Sequence, residues 1–356
     1  MTGAARGPRR PDEPARRTTI ADVAALSGTS KGTVSFVLNN KPGVAEETRR
    51  RVLAAIDELG WQPSRLAQSL SFSRADAIGL VLARTAETLR SDSFFAPFIA
   101  GVEHSVSQAD MSVLLRFVET GEAELDAYRS LVRGGRVDGV IVADLRPDDP
   151  RIAFLAELGI PAVTLNSPDV PSPFGAVVND DAAGVGAAVD HLLGLGHRRI
   201  SQVSGPQHYL HTRRRRAAFT AALEIAGLDV CSTAEADFTA QGAASATRDL
   251  LDVPAGLRPT AILYDNDTMA VAGTVVAQHL GIDVPRDLSV VGFDDAEISA
   301  YVSPSLTTVR TDPFGWGAVA ARRLLEVIRG SGATDDLALA EPSLVVRSST
   351  AAAPRP

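Results

Sequence analysis

Apolar positions along the chain follow two rhythms. Between Thr18 and Gly60 they recur at helical spacing: Ile20, Val23 and Ala24, then Val34, Val37 and Leu38, then Val52, Ile56 and Leu59. From Ala77 onward, short apolar runs of strand length alternate with helix-like stretches. The first rhythm predicts a small all-α unit, the second a larger α/β body.

Punctuation sharpens the first unit. Thr19 is placed to cap a helix with Asp22 at its third position, and Gly28 supplies a turn. Ser30 caps a second helix, which Asn39, Asn40, Pro42 and Gly43 end. Two helices joined by so tight a turn form a helix-turn-helix. A third helix is expected from about Glu46 to Glu58, with Arg49, Arg50 and Arg51 facing outward and Gly60 as its stop. After Pro63, the run Ser64 to Leu70 reads as a short fourth helix that is marginal alone in water and forms only when something orders it. An ordinary linker with a buried Leu is the alternative.

In the body, a first series runs AIGLVLA, a helix from Phe94 to Ala109, MSVLLRFV, a helix near Glu124 to Arg133, DGVIVA, a helix from Ile152 to Leu158, and PAVTLN. A second runs GAVVND, Asp181 to Leu195, RRISQVSG, Arg213 to Ala226, CSTAEADF, Ala243 to Leu251, AILYDND, Thr268 to Leu280, and LSVVGFDD. Strand, helix, strand in this order implies parallel sheets with right-handed crossovers, hence two similar lobes. The helix Pro313 to Arg329 is expected to rejoin the first lobe, and Ser343 to Arg347 to add a last strand to the second. Several crossings of this kind make a hinge, and the Ala-rich helices allow close lobe or dimer packing. Ligands of open parallel sheets bind beyond the carboxyl ends of the strands, here between the lobes. Those ends deliver Asn166, Asn266 and Asp294, short polar side chains suited to hydroxyl-rich ligands, while Asp267 and Asp295 are placed to cap the helices that follow.

Composition narrows the class. At 356 residues the chain exceeds one typical domain. The expected division is a disordered basic arm (1–17), a helix-turn-helix domain (18–62), a hinge helix and linker (63–75) and a two-lobed body (76–350). Lobe one is expected at about 76–175 and 310–330, lobe two at about 176–309 and 331–350. Residues 1–75 hold twelve Lys and Arg against seven Asp and Glu, while the rest is acidic enough to bring the net charge to -8. A basic small unit on an acidic body suits a nucleic-acid binder whose body must not adhere to the polyanion.

The single Cys231, read as a small buried hydrophobe, excludes an intramolecular disulfide and fits a reducing cytoplasm. The arm lacks the apolar core of a secretory signal, and no stretch approaches a membrane span. Catalysis is not expected. The six histidines are scattered, His208 and His211 have no Glu partner, His197 reads as structural, and no HExxH, GxSxG or P-loop is present. No metal or cofactor is implied.

The blocks TIADVA, GTSKGTVSFVLN and LGWQPSRLAQSL stand in the order and spacing of the headpiece and hinge of the lac repressor family of bacterial transcription regulators, which this segment resembles. The likeness continues to about Arg347, over a body that resembles the periplasmic sugar-binding architecture. It implies that the second helix enters the major groove of operator DNA, with Lys31, Gly32 and Phe36 toward base edges and Thr29, Ser30, Thr33 and Ser35 nearer the backbone. Thr19, Asn39, Ser64, Arg65 and Gln68 complete the implied DNA contacts. Leu70 is the implied wedge of a hinge helix that pairs with its twin in the minor groove.

The family commonly has Arg where Phe36 stands. Phe offers only apolar contact, for example to a thymine methyl, which leaves Lys31 as the main charged base reader; a core role for Phe36 is the alternative. Gly32 lowers helix propensity by about 1 kcal/mol and is justified only by close approach to the duplex.

In the body, the resemblance implies effector contacts from Asn166, Arg215, Phe238, Asn266 and Asp294, with a weaker claim for Thr311; Phe94 and Phe95, which open the first lobe's helix, are cleft candidates of the same weaker kind. Phe238 has a core aromatic role as its alternative, and Arg213, Arg214 and Arg216 a solvated helix face. The chain ends without a Leu heptad, so a homodimer is expected. Taken together these features imply an effector-controlled transcription regulator, most simply a repressor, with a neutral sugar as first choice of effector and a nucleobase or nucleoside as second. A solute receptor for transport would need a signal peptide and no headpiece.

Overall fold

The computed structural model describes residues 18–38, 41–61 and 74–354. The arm, Asn39, Ser64, Arg65, Gln68 and Leu70, and with them the expected hinge helix, lie outside the described residues. The chain divides into two compact units, to Arg74 and from Ala75.

In the first unit, α1 (Ile20–Ser27), α2 (Lys31–Leu38) and α3 (Glu46–Leu59) form the expected helix-turn-helix and its support. The Thr19 backbone N–H donates to Asp22 Oδ2 at 2.8 Å, which closes the first turn. Gly28 ends α1 at φ 63°, a left-handed turn that glycine adopts without strain. Ser30 Oγ accepts from the Thr33 N–H at 3.1 Å and starts α2. Val23, Val34 and Val52, one from each helix, are fully buried and form the centre of a small core sealed by Trp61. Only Arg50 and Arg51 of the arginine triplet face solvent. Arg49 is half-buried and donates to the Val37 carbonyl at 3.4 Å, so it fastens α3 to α2.

The second unit contains two six-stranded sheets. The first is built from β1 (Ala77–Ala83), β2 (Ser112–Val118), β3 (Gly139–Val142), β4 (Ala162–Leu165), β5 (Ala176–Val178) and β11 (Leu337–Ala338), in the order β11-β5-β4-β3-β1-β2 and parallel throughout. Its helices are α4 (Ala86–Ser91), α5 (Phe95–Ser107), α6 (Gly121–Arg133), α7 (Pro150–Leu158) and, returning late in the chain, α12 (Pro313–Ile328). One face packs on α5 and α12, the other on α6 and α7, which gives a buried apolar layer on each side.

The second sheet holds β6 (Ile200–Ser204), β7 (Ser232–Glu235), β8 (Ala261–Tyr264), β9 (Ser289–Asp294), β10 (Thr307–Arg310) and β12 (Ser343–Val345) in the order β12-β10-β9-β8-β6-β7. Of these only β12 runs antiparallel, against β10. α8 (Asp181–Gly194) and α9 (Leu210–Ile225) cover one face, α10 (Ala240–Leu251) and α11 (Asp267–His279) the other.

Two boundaries differ from expectation. The GAVVND strand, assigned to lobe two, pairs with β4 and belongs to lobe one, and the residues from 331 return to lobe one through β11 before β12 joins lobe two. Length explains both, because three-residue and two-residue strands carry almost no periodicity. The short helix α4 was likewise not predicted. The chain therefore crosses between lobes three times, after β5, β10 and β11. The small residues of α5 serve packing within lobe one: a Cβ on Gly101 would lie 1.9 Å from the Phe314 carbonyl oxygen of α12, and one on Gly317 2.1 Å from that of Phe98.

Candidate functional site

Within the helix-turn-helix unit, α2 presents its polar face outward. Lys31, Gly32 and Phe36 are exposed, and Thr33 and Ser35 are half-buried. Phe36 is 46% exposed, which removes the core alternative for it. Its ring lies 5.5 Å from Lys41 Nζ and, with Gly32, Val44, Ala45 and Thr48, lines a shallow groove. A Cβ on Gly32 would meet nothing nearer than Ser30 Oγ at 3.5 Å, so the protein's own packing does not require glycine there. The Ser30 hydroxyl bonds that of Thr33 at 2.9 Å, and the Thr29 hydroxyl that of Ser27 at 2.9 Å, which orients these groups along the helix entry beside exposed Thr19.

In the second unit, the carboxyl ends of the strands of both sheets line one cavity of about 620 Å³, counting the part open to solvent. Asn166, Arg215, Phe238, Asn266 and Asp294 all line it. Thr311 does not; it stands behind Asp294 and donates to its Oδ1 at 3.4 Å. Phe94 lines the cavity and stacks on Phe98, while Phe95 is buried behind it.

Several of these residues hold left-handed backbone conformations that non-glycine residues seldom adopt: Asn166 at φ 65°, Phe238 at φ 67° and Asp294 at φ 101°. For a bulky Phe this is strained geometry, of the kind that concentrates at binding sites. Asn266 caps α11 by accepting from the Met269 N–H at 2.8 Å, and its amide donates to the Phe238 carbonyl at 3.3 Å. The caps expected of Asp267 and Asp295 are not formed. Asp267 is buried, accepting from Thr308, Ser299 and the Ala296 N–H, and Asp295 pairs with Arg310 and Arg347.

Arg215 is buried against Asp181, with Nε 3.0 Å from Oδ2, and donates to the Asp265 carbonyl at 2.7 Å. Its guanidinium sits 3.8 Å from the Phe293 ring centre. Of its neighbours, Arg213 is exposed, as a solvated face requires, and donates to the Gln207 carbonyl, whereas Arg214 and Arg216 are half-buried and donate to the Ser167 carbonyl and the Ser204 hydroxyl. The Arg214 bond, at 2.6 Å, crosses between the lobes, as do Leu210 N–H to the Leu145 carbonyl at 2.8 Å and Thr268 Oγ1 to the Ser91 carbonyl at 3.0 Å.

The cavity also contains residues that sequence reasoning missed: Arg84, Asp92, Asp144, Asp181, Asp265, His211 and Trp316. A signal existed for three of them, since Arg84 and Asp265 follow strands as directly as Asn166 does and Asp144 comes one residue later. Trp316 arrives on α12, and its indole N–H donates to the Val177 carbonyl at 3.0 Å.

The lining holds five aspartates and two arginines, Arg84 and Arg215. Burial pushes the Asp294 carboxyl well above its ordinary value, only partly opposed by Arg215, and burial also raises Asp92 and Asp265. Burial works against the Asp144 charge too, but Arg84 more than offsets it and holds that carboxyl below its usual range. His211, stacked on Tyr209 and Phe238, is pushed down to about 4 by burial and by Arg215. An acidic cavity with aromatic walls repels anions and offers many acceptors to hydroxyl donors. His197 lies far from this chemistry, buried among Thr260, Ser289 and the Ala351 carbonyl, as a structural residue. Cys231 is half-buried rather than buried. Among the described residues no cluster of His, Cys, Asp and Glu is arranged to hold a metal ion, and no helix is long and apolar enough to cross a membrane.

Residues 19–64 match the model of bacterial regulatory proteins of the lacI family, and residues 189–350 that of a periplasmic binding protein-like domain. The chain is 38% identical over 355 residues to the transcriptional regulator MalR of Streptomyces coelicolor, covering 95% of this chain and 98% of that one. It is 33% identical to the regulator CelR of Thermobifida fusca, over 94% and 98% of the two chains. This chain belongs to the LacI family. Among solved structures, the lac repressor dimer bound to operator and the anti-inducer ONPF superposes with a TM-score of 0.83 at 31% identity, covering 95% of this chain and all of that one. A CelR–cellobiose complex superposes with a TM-score of 0.72 at 32% identity, covering 94% of this chain. As a LacI-family protein the chain is a DNA-binding transcriptional regulator with an effector-binding domain, and it is not an enzyme.

Proposed function

We propose that this LacI-family regulator is a homodimeric repressor whose hold on operator DNA is set by a neutral saccharide bound between its lobes. Asp294 carries the reading. It is a half-buried carboxyl group at a strand end, lining an acidic, aromatic-walled cavity, and among the described residues the one hydrogen-bond partner of its side chain is the Thr311 hydroxyl at 3.4 Å. A carboxyl group so poorly satisfied is stabilised by a ligand that offers it hydroxyl hydrogen bonds, and the four other aspartates lining the cavity disfavour a phosphorylated or carboxylated one. The cellobiose in the CelR complex supports the same class.

On DNA, α2 enters the major groove, where Lys31 reads guanine O6 and N7 and Phe36 packs on a thymine methyl. Thr19, Thr29, Ser30, Thr33, Ser35 and Asn39 position the helix on the backbone. Ser64, Arg65 and Gln68 belong to the hinge, whose Leu70 wedges into a base step. The lac repressor dimer on its operator supports two copies acting together, and the edge strand β2 exposes Leu115 and Phe117 as apolar surface that a second copy can cover. Effector binding shifts the relative population of lobe arrangements, and the hinge pairs or separates in response. Such a protein works where the chromosome is, in the cytoplasm.

The test is selection of sheared genomic DNA by the full chain, repeated with panels of saccharides and of purines. A palindromic operator released by a saccharide supports the proposal. Release by a purine, or no sequence preference, rejects it.

A further inference from the structure

The lobe-one end of the cavity is built around Arg84. This residue follows β1 and Asp144 follows β3, adjacent strands whose chains then pass through α5 and α7 on opposite faces of the sheet. That is the switch point of the strand order, where open α/β sheets bind ligands. Arg84 Nε and Nη2 donate to the two oxygens of Asp144 at 2.7 and 2.8 Å, and Nη1 donates to Asp92 Oδ2 at 2.8 Å. A guanidinium has five N–H groups, so one on each terminal nitrogen lies outside these bonds. The rings of Phe95, Tyr209 and Phe238, with centres 4.8, 5.1 and 5.0 Å from its central carbon, pack against it and fix its plane. One cation thus faces two buried carboxylates, which is more acceptor capacity than it can use. Burial accordingly leaves Asp92 with a raised pKa despite the ion pair.

We propose that Arg84, Asp92 and Asp144 form a recognition site for a pair of adjacent hydroxyls on the effector. One hydroxyl donates to a carboxylate oxygen, and its neighbour accepts from a remaining guanidinium N–H. Lobe two carries the matching arrangement: Arg215 is paired with Asp181, and Asp265 and Asp294 follow β8 and β9. The ligand that satisfies both lobes is an uncharged saccharide with adjacent free hydroxyls on two opposite sides, and filling both ends couples its binding to lobe closure. The inference rests on the saccharide reading above.

The full chain is titrated calorimetrically with cellobiose, maltose, trehalose and sucrose, and then with monodeoxy derivatives of whichever binds. For the parent, removing one of the recognised hydroxyls is expected to weaken binding about 10- to 100-fold, the range for hydrogen bonds to charged groups. In Asp144→Asn and in Arg84→Lys, which keeps the charge but loses the fork, that penalty is expected to shrink to about threefold or less. Circular dichroism melting identifies any variant that has not folded, and Asp92→Asn then replaces it. If the variants weaken the parent sugar and its deoxy derivatives by one common factor, Arg84 only fastens the lobes and the proposal is overturned. Unchanged affinity overturns it equally. If no saccharide binds the parent while a purine does, the saccharide reading itself is what has failed, and this inference falls with it.

Discussion

Asp294 combines partial burial, an ionisable group and a left-handed backbone, three features that each cost free energy and that folding alone does not require together. Its replacement by Ala is expected to weaken effector binding by roughly 10-fold in calorimetry, the value of a hydrogen bond to a buried polar group. Operator binding without effector is expected to survive in gel-shift titration. His211 supplies a pH dependence of known sign. Its pKa falls from the ordinary 6.5 to about 4 on folding, so the unfolded chain binds the proton first as pH falls between those values. The stabilising contribution is complete above about pH 6.5 and is lost as pH falls through about 4, at most about 3 kcal/mol. Chemical denaturation of the parent and of His211→Gln at pH 7 and pH 5 checks it: the parent is expected to lose more stability over that interval than the variant. At this scale the strand-end rule exposed Asn166, Asn266 and Asp294 in the sequence. It did not expose the ion pairs, because Arg84 meets Asp144 only after sixty residues of chain have folded back.

Among elements, α2 breaks a local rule that its own packing does not require it to break. Gly32 sits inside a helix, exposed, with no neighbour that a methyl group would touch more closely than 3.5 Å. The Gly32→Ala variant is expected to melt no lower than the parent and to gain as much as about 1 kcal/mol of helix propensity. Its operator affinity, read by gel shift, is expected to fall because the methyl holds α2 away from the base edges. Gly101 is the opposite case. A Cβ there meets the Phe314 backbone at 1.9 Å, so Gly101→Ala must separate α5 from α12. Thermal denaturation is expected to show a loss of about 1–3 kcal/mol or more, the cost of overpacking. The helices and longer strands were legible because their periodicity runs for many residues. β11 and α4 were not, and β5 was legible as a strand but not as part of lobe one, since such short runs acquire meaning only from the neighbours they pack against.

For the whole molecule, charge divides the work. A basic N-terminal region stands on an acidic remainder in a chain of net charge -8, so DNA affinity belongs to one end while the body stays off the duplex. Specific binding is expected to fall steeply with salt, by about 10³- to 10⁵-fold between 50 and 200 mM if six to ten phosphates are contacted. A shallow dependence in fluorescence titration would remove phosphate contact as a main source of affinity. The three chain crossings let the lobes move about a common hinge while Arg214, Leu210 and Thr268 hold hydrogen bonds across it.

The amino-acid sequence by itself determined the helix-turn-helix, the alternation of strands and helices, and the three polar strand ends, since each rests on local spacing, capping or chain order. Tertiary structure alone decided which lobe the short strands join and that Arg49 fastens rather than faces solvent. It also decided that Arg84, Asp92 and Asp144 converge on the ligand cavity. The physical reason is that buried charge is tolerated only beside a partner, and neither the partner nor the burial is written in the spacing of either residue.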